Sequence, residues 1–221
     1  MARRSCAREA RSPDLAGQDQ HMSVNGTAAY NGLLDLPPLV QAAVDQARYS
    51  TFGLSCLPAH GRLLQILAGG IDSGTIGETG TGCGVGLAWL ASGARPGTRL
   101  VSIERELKLV QAARQVFKAA PQVEVLHGDW TELREQGPFD LLVVDGGGQG
   151  KAGEAPLDPE QWMRAGGLVV IDDFTPTTSW PPLYDGRPDT ARLHWLEHPR
   201  LLATMLRTQP DAAAVLATYR G

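Results

Sequence analysis

From residue 36 onward the apolar positions of this chain become periodic, and the period changes along it. LPPLVQAAVDQAR has the spacing of a helix with Pro near its start, and HGRLLQILAGG predicts a second helix closed by Gly69 and Gly70. Short apolar runs then alternate with amphipathic ones. TIGE (Thr75 to Glu78), TRLVSIE (Thr98 to Glu104), VEVLHGD (Val123 to Asp129), FDLLVVD (Phe139 to Asp145) and LVVIDD (Leu168 to Asp173) predict strands. Gly84 to Ser92, RELKLVQAARQVFKA and LDPEQWMRAGG predict the helices between them, the last with Asp158 as N-cap before Pro159.

Strands that are apolar throughout and separated by helices imply a parallel sheet covered on both faces. Right-handed crossovers then give a doubly wound layout, with ligands at the carboxyl ends of the strands. The C-terminal stretch LLATMLRTQPDAAAVLATYR is two apolar runs broken by Pro210-Asp211, which predicts a hairpin. The expected fold class is therefore α/β: a doubly wound, mostly parallel seven-stranded sheet with an antiparallel C-terminal strand. A nicotinamide-binding sheet does not need that ending.

Composition narrows the function. The chain has 221 residues, 43% hydrophobic and 20% charged, which suits one soluble globular domain. A net charge of −4 without a basic stripe argues against nucleic-acid binding. No apolar run approaches the roughly 20 residues of a membrane span. Cys6, Cys56 and Cys83 are scattered and odd in number, so neither a disulfide framework nor a zinc site is expected, and a reducing cytoplasm is the default location. Residues 1–21 carry Arg3, Arg4, Arg8 and Arg11 and almost no large apolar residues. They lack the apolar middle of a secretory signal, and Glu9, Asp14 and Asp19 argue against a transit peptide. The expected organisation is a disordered tail over 1–21, an upstream start ahead of Met22, and one domain over 22–221.

The stretch IGETGTGCGVGLAWLA places glycines at 80, 82, 84 and 86. Glycine weakens both helix and strand, so the run needs a local reason, and close approach of a ligand to the backbone is one. A phosphate loop needs a Lys and a Ser or Thr that are missing here. A dinucleotide fingerprint fails in every register, ending at Val85, Leu87 or Trp89. What remains is E-x-G-x-x-x-G, matched by Glu78, Gly80 and Gly84. Glu104 closes the next strand, where a carboxylate can accept from both hydroxyls of a ribose. Asp129 ends the third strand, where it can accept from an adenine amine or cap the turn before WTELRE. Trp130 beside it either lies against the adenine or belongs to the core. The set suits a nucleoside with a zwitterionic tail and no phosphates.

On these residues the chain resembles the class I S-adenosylmethionine-dependent methyltransferases, and within them the small catechol and caffeoyl-CoA O-methyltransferase group. SCLPAHGRLLQILA, GETGTGCGVG, LVSIE, LHGDW, FDLLVVDGGG and GGLVVIDDFTP carry the resemblance, over residues 55–177. It implies S-adenosylmethionine as cofactor, held by Glu78, Gly80, Gly82, Gly84, Glu104, Asp129, Trp130 and the rim residue Asp145. It implies a small-molecule methyl acceptor, and by analogy a homodimer.

Asp145, Asp172 and Asp173 end neighbouring strands. Three crowded carboxylates raise one another's pKa, and a divalent cation such as Mg²⁺ removes that repulsion. The resemblance implies such a metal site, with Asp173 standing where the group has Asn. The duller alternative has Asp145 at the cofactor rim while Asp172 and Asp173 cap the loop before Pro176. The catechol branch carries a lysine base three residues after the first metal Asp, and here that position is Gly148. Lys151 further along DGGGQGK is either an exposed loop lysine or swings in as the base. The aromatic loop FTPTTSWPPLYDGRPDTARLHWLEHPR offers Trp180, Tyr184, His194 and Trp195 to an acceptor pocket. His194 is a further candidate base, although on the helical TARLHWLEH one aromatic should simply pack on the sheet.

Overall fold

The computed structural model describes residues 25–221. The expected tail over 1–21 lies outside the described residues. The observed strands are β1 (Gly74–Thr79), β2 (Thr98–Glu104), β3 (Val123–His127), β4 (Phe139–Val144), β5 (Met163–Phe174), β6 (Leu183–Tyr184), β7 (Arg187–Pro188), β8 (Leu201–Arg207) and β9 (Ala213–Tyr219). The helices are α1 (Pro38–Tyr49), α2 (Pro58–Gly69), α3 (Val85–Gly93), α4 (Leu107–Phe117), α5 (Pro159–Trp162) and α6 (Thr190–Leu196). The large sheet has seven strands in the order β3-β2-β1-β4-β5-β9-β8. Strands β1 to β5 run parallel, and β9 pairs antiparallel with β5 and with β8. The doubly wound sheet with an antiparallel last strand is thus the fold observed.

The strands are apolar throughout because both faces are covered. In β4, Leu141 and Val143 join the core formed by α1 to α4, while Leu142 and Val144 join the core on the opposite face with Leu133, Trp162 and Trp195. All four are buried. Helix α3 is buried over most of its length and has little polar face, so its burial is between the sheet and α1 and α2.

Two local departures from the sequence reading matter. LDPEQWMRAGG was expected to be helical, but α5 stops at Trp162 and Met163 already pairs with Phe139 on β4. Asp158 caps the short helix as expected, its side chain accepting from the Glu160 N–H. A register shift between Phe139 and Leu141 then lets RAGG bulge before Leu168 pairs with Leu141. The second departure is a small hairpin, β6 and β7, turned by Asp185 (φ 49°) and Gly186 (φ 72°).

The strand order reverses between β1 and β4, the place where doubly wound sheets open a crevice at their carboxyl end. The loops leaving β1 and β4 are joined there. The Asp145 and Gly146 N–H groups donate to the Thr79 carbonyl, at 3.2 and 2.7 Å. No described helix is long and apolar enough to cross a membrane.

Candidate active site

The crevice opens into a cavity of about 1240 Å³, lined by the turn after β1, the ends of β2, β4 and β5, and the hairpin before α6. Glycine is needed in the turn first for the protein's own packing. Gly80 has φ +83°, and a Cβ there would collide with the Gly146 backbone across the crevice. Gly82 has φ +52°, and its Cβ would come within 2.9 Å of the Phe52 ring. An L side chain is strained in that conformation and has no room besides. The close approach inferred from the sequence is therefore made, at these two glycines, by the chain itself. Gly84, at φ +89°, caps α3.

Glu78 is 1% exposed yet lines the cavity. The Ser102 hydroxyl donates to its carboxylate at 2.7 Å, and the Thr81 and Ser102 hydroxyls lie 2.6 Å apart. Burial pushes its pKa up to about 8, against the Ser102 hydrogen bond and with help from Glu104. The Glu104 carboxylate accepts from the Gly82 N–H at one oxygen and the Glu106 N–H at the other, both at 2.9 Å. It is fixed against the turn with one lone pair on each oxygen still available. Asp129 realises the capping alternative: one of its oxygens accepts from the Thr131 N–H and hydroxyl, and Glu132 accepts from the Asp129 N–H. Those Thr131 bonds, side chain first, hold its pKa below the ordinary carboxylate value. Trp130 packs against the core. It stacks on Trp162 at 5.8 Å between ring centroids and also lines the cavity.

At the other end of the cavity, oxygens of Asp145, Asp172 and Asp173 lie within 4.8 Å of one another. Adjacent strand residues normally point to opposite faces. Here the β5–β9 register shifts between Ile171 and Phe174, and Asp173 takes φ +62°. The bulge turns both carboxylates toward Asp145. Asp and Asn tolerate that left-handed backbone better than most residues. Burial holds the Asp145 pKa well above its ordinary value, reinforced by Asp173, Asp172 and Glu78.

Lys151 is half-buried at this cluster, not exposed on its loop. Its ammonium donates to the carbonyls of Asp172 and Asp173, at 2.7 Å each, and lies 4.3 Å from the centre of the Phe174 ring. Gln149 is buried and also donates to the Asp172 carbonyl, at 3.3 Å. These bonds satisfy carbonyls that the bulge takes out of the ladder. Burial lowers the lysine pKa, and the three aspartates oppose that shift.

The other candidate base is not brought in. His194 does not line the cavity; its ring meets Trp195 and His198 edge-on, and burial followed by His198 lowers its pKa. The reason is helical phase: α6 presents Thr190 and Ala191 to the cavity and turns His194 away. Trp195 is fully buried and donates to the Gln149 carbonyl, while Trp180 is 67% exposed. Of the four loop aromatics only Tyr184 lines the cavity. Sequence reasoning missed Phe52, Gln149 and His60. Phe52 covers Gly82, and His60 Nδ1 lies 3.3 Å from Asp172 Oδ1.

A family model described as a methyltransferase domain matches residues 78–174, from Glu78 to the end of β5. The catechol O-methyltransferase of Mycobacterium tuberculosis is 31% identical over 181 residues, 76% of this chain and 79% of that protein. Cofactor-bound Rv0187 from MTB superposes with a TM-score of 0.68 at 26% identity, over 86% of this chain and 94% of that one. The O-methyltransferase TomG from Streptomyces achromogenes, involved in tomaymycin synthesis and solved with S-adenosylmethionine, shares the fold. Its TM-score is 0.66 at 23% identity, covering 92% of this chain and 99% of that one. With the E-x-G-x-x-x-G turn, the acid closing β2 and the antiparallel last strand, these likenesses make the chain a member of the class I S-adenosylmethionine-dependent O-methyltransferases.

Proposed function

We propose that this chain methylates a hydroxyl of a small molecule, with S-adenosylmethionine along the glycine turn and a divalent cation held by Asp145, Asp172 and Asp173. The observation that carries the acceptor half is the convergence of three carboxylates within 4.8 Å, in the same cavity as Glu78 and Glu104. Oxygen donors suit a hard cation. Burial, and after it the charges of Asp173 and Asp172, hold the Asp145 pKa up, and such an ion relieves the second of these. Lys151 brings one positive charge to three carboxylates, which leaves a balance that a divalent ion closes. The names of the relatives, a catechol methyltransferase and an enzyme of tomaymycin synthesis, support a small acceptor.

When bound, the cation would stabilise the acceptor as its oxyanion, and the cofactor supplies a methyl carbon made electrophilic by its sulfonium. The chain's residues align the two. Glu78 receives the ammonium of the cofactor's amino-acid end, and Glu104 takes the ribose hydroxyls on its remaining lone pairs. The free oxygen of Asp129 and the indole of Trp130 frame the adenine. Tyr184 and the hairpin of β6 and β7 wall the acceptor end. Such positioning contributes several kcal/mol, up to roughly 7–11 in the most favourable intramolecular cases.

Lys151 supports a second reading in which no metal is required. Its ammonium already brings a cation to the cluster, and in neutral form the amine could take the acceptor proton. Activity on a panel of catechols and other phenols, with and without EDTA, separates the two. The metal reading predicts loss of turnover in EDTA, recovery with Mg²⁺, and a fall of about 100-fold or more in Asp172→Ala with unchanged affinity for S-adenosylhomocysteine. Turnover indifferent to EDTA and to that substitution rejects it.

A further inference from the structure

Helix α2 carries one more polar side chain to the acidic cluster. His60 is 1% exposed, in the first turn of α2. Its neighbour Gly61 has no room for a Cβ, which would collide with the Trp89 indole, so the start of α2 is pressed against α3. From there His60 Nδ1 reaches to 3.3 Å from Asp172 Oδ1. The approach lacks the alignment of a hydrogen bond, and neither ring nitrogen finds a partner among the described residues. A buried imidazole with both nitrogens unmet is unusual in a folded protein.

His60 is not a candidate ligand. The donor atoms that lie within 4.8 Å of one another belong to Asp145, Asp172 and Asp173, and His60 is outside that group. Nor does it line the cavity, so a bound acceptor would not touch it. Its place is behind Asp172.

We infer that His60 is a positioning residue for Asp172: in the Nδ1–H tautomer it donates to Oδ1, and so leaves Oδ2 facing Asp145 and Asp173. The inference rests on the metal reading of those three residues. A carboxylate turns easily about its last torsion. A ligating carboxylate held from behind by a hydrogen bond presents its free oxygen in one orientation, and losing such an outer partner typically costs about 10–100-fold in metal affinity. Alignment of the 3.3 Å approach into a hydrogen bond is the change expected on loading.

The test is calorimetric titration of the full chain with Mn²⁺, for the unmutated protein, H60N and H60Q, with S-adenosylhomocysteine titrated in parallel. Asn sets an amide nitrogen near the Nδ1 position and Gln sets one near Nε2. H60N is expected to keep Mn²⁺ affinity within about threefold, and H60Q to lose about 10–100-fold, with S-adenosylhomocysteine binding unchanged in both. Equal Mn²⁺ affinity in H60Q and the unmutated chain overturns the inference, as does an equal loss in both variants that extends to S-adenosylhomocysteine. Failure of the unmutated chain to bind Mn²⁺ overturns the metal reading itself. A measurement without substitution covers variants that do not fold. The ring-nitrogen resonances of His60 should shift during a Mg²⁺ titration with the midpoint of metal binding, and resonances that stay still contradict the proposal.

Discussion

The Ser102 hydroxyl donates to the Glu78 carboxylate at 2.7 Å, inside the sheet, where Glu78 lines the cavity. That single bond does not offset the loss of water around the acid, and burial raises the Glu78 pKa to about 8 from an ordinary 4.5. Between those values the folded chain keeps a proton on Glu78 that the unfolded chain has lost. This contribution to stability is complete below about pH 4.5 and disappears as the pH rises through about 8. Melting temperature of the ligand-free protein is expected to fall over that window, and Glu78→Gln to flatten the fall. In the proposed role, Glu78 must be ionised to receive the cofactor's ammonium. Affinity for S-adenosylhomocysteine should therefore strengthen as pH rises toward 8, by at most about tenfold per unit. An affinity independent of pH from 6 to 9 contradicts the role given to Glu78.

Lys151 closes the bulge that aims two carboxylates. Lys151→Met removes both bonds to the carbonyls of Asp172 and Asp173. Turnover is expected to drop about 100-fold or more, while the dissociation constant for S-adenosylhomocysteine stays within about twofold. Wild-type turnover in this variant removes Lys151 from the site.

Gly82 and Phe52 exclude one another's larger forms. Gly82→Ala places a side chain at φ +52° and 2.9 Å from the Phe52 ring. The left-handed backbone alone costs about 1–2 kcal/mol. Adding Phe52→Ala relieves the contact but not the strain, so a double-mutant cycle by denaturant unfolding should show a favourable coupling of about 0.5–1 kcal/mol. Strict additivity would mean that the ring is not packed on the turn.

Arg192 is fully buried and 3.1 Å from Asp189, which caps α6 and lines the cavity. Asp189→Asn keeps the capping oxygen and leaves the guanidinium without its counter-charge. Unfolding free energy is expected to fall by about 3–5 kcal/mol. A loss below about 1 kcal/mol would show that Thr175, Met205 and the Phe174 ring suffice for Arg192.

Most of the fold was legible because burial on both faces of the sheet leaves an unbroken apolar signature. Strand β2 was read over Thr98 to Glu104, the bounds observed. Met163 to Gly167 misled because Asp158-Pro159 announces a helix. What ends it is the pairing of Met163 with Phe139, a tertiary contact that local propensity does not encode. The β6–β7 hairpin did leave a signal, the Asp185-Gly186 pair typical of two-residue turns, which went unread. Within the site, Asp145, Asp172 and Asp173 were legible as acids at strand ends. Their convergence was expected from neighbouring strands that end at one rim, and they do meet; the bulge that lets Asp172 and Asp173 face the same side, against strand alternation, was not legible. His60 left no signal: one histidine on an apolar helix gains meaning only from Asp172, brought to it by the fold.

A crystal structure grown with S-adenosylhomocysteine and Mn²⁺, with anomalous data collected for the ion, would locate cofactor and cation together. One manganese peak is expected among Asp145, Asp172 and Asp173, with the ribose hydroxyls on Glu104. No peak at the three carboxylates, or a ribose bound away from Glu104, would contradict this arrangement.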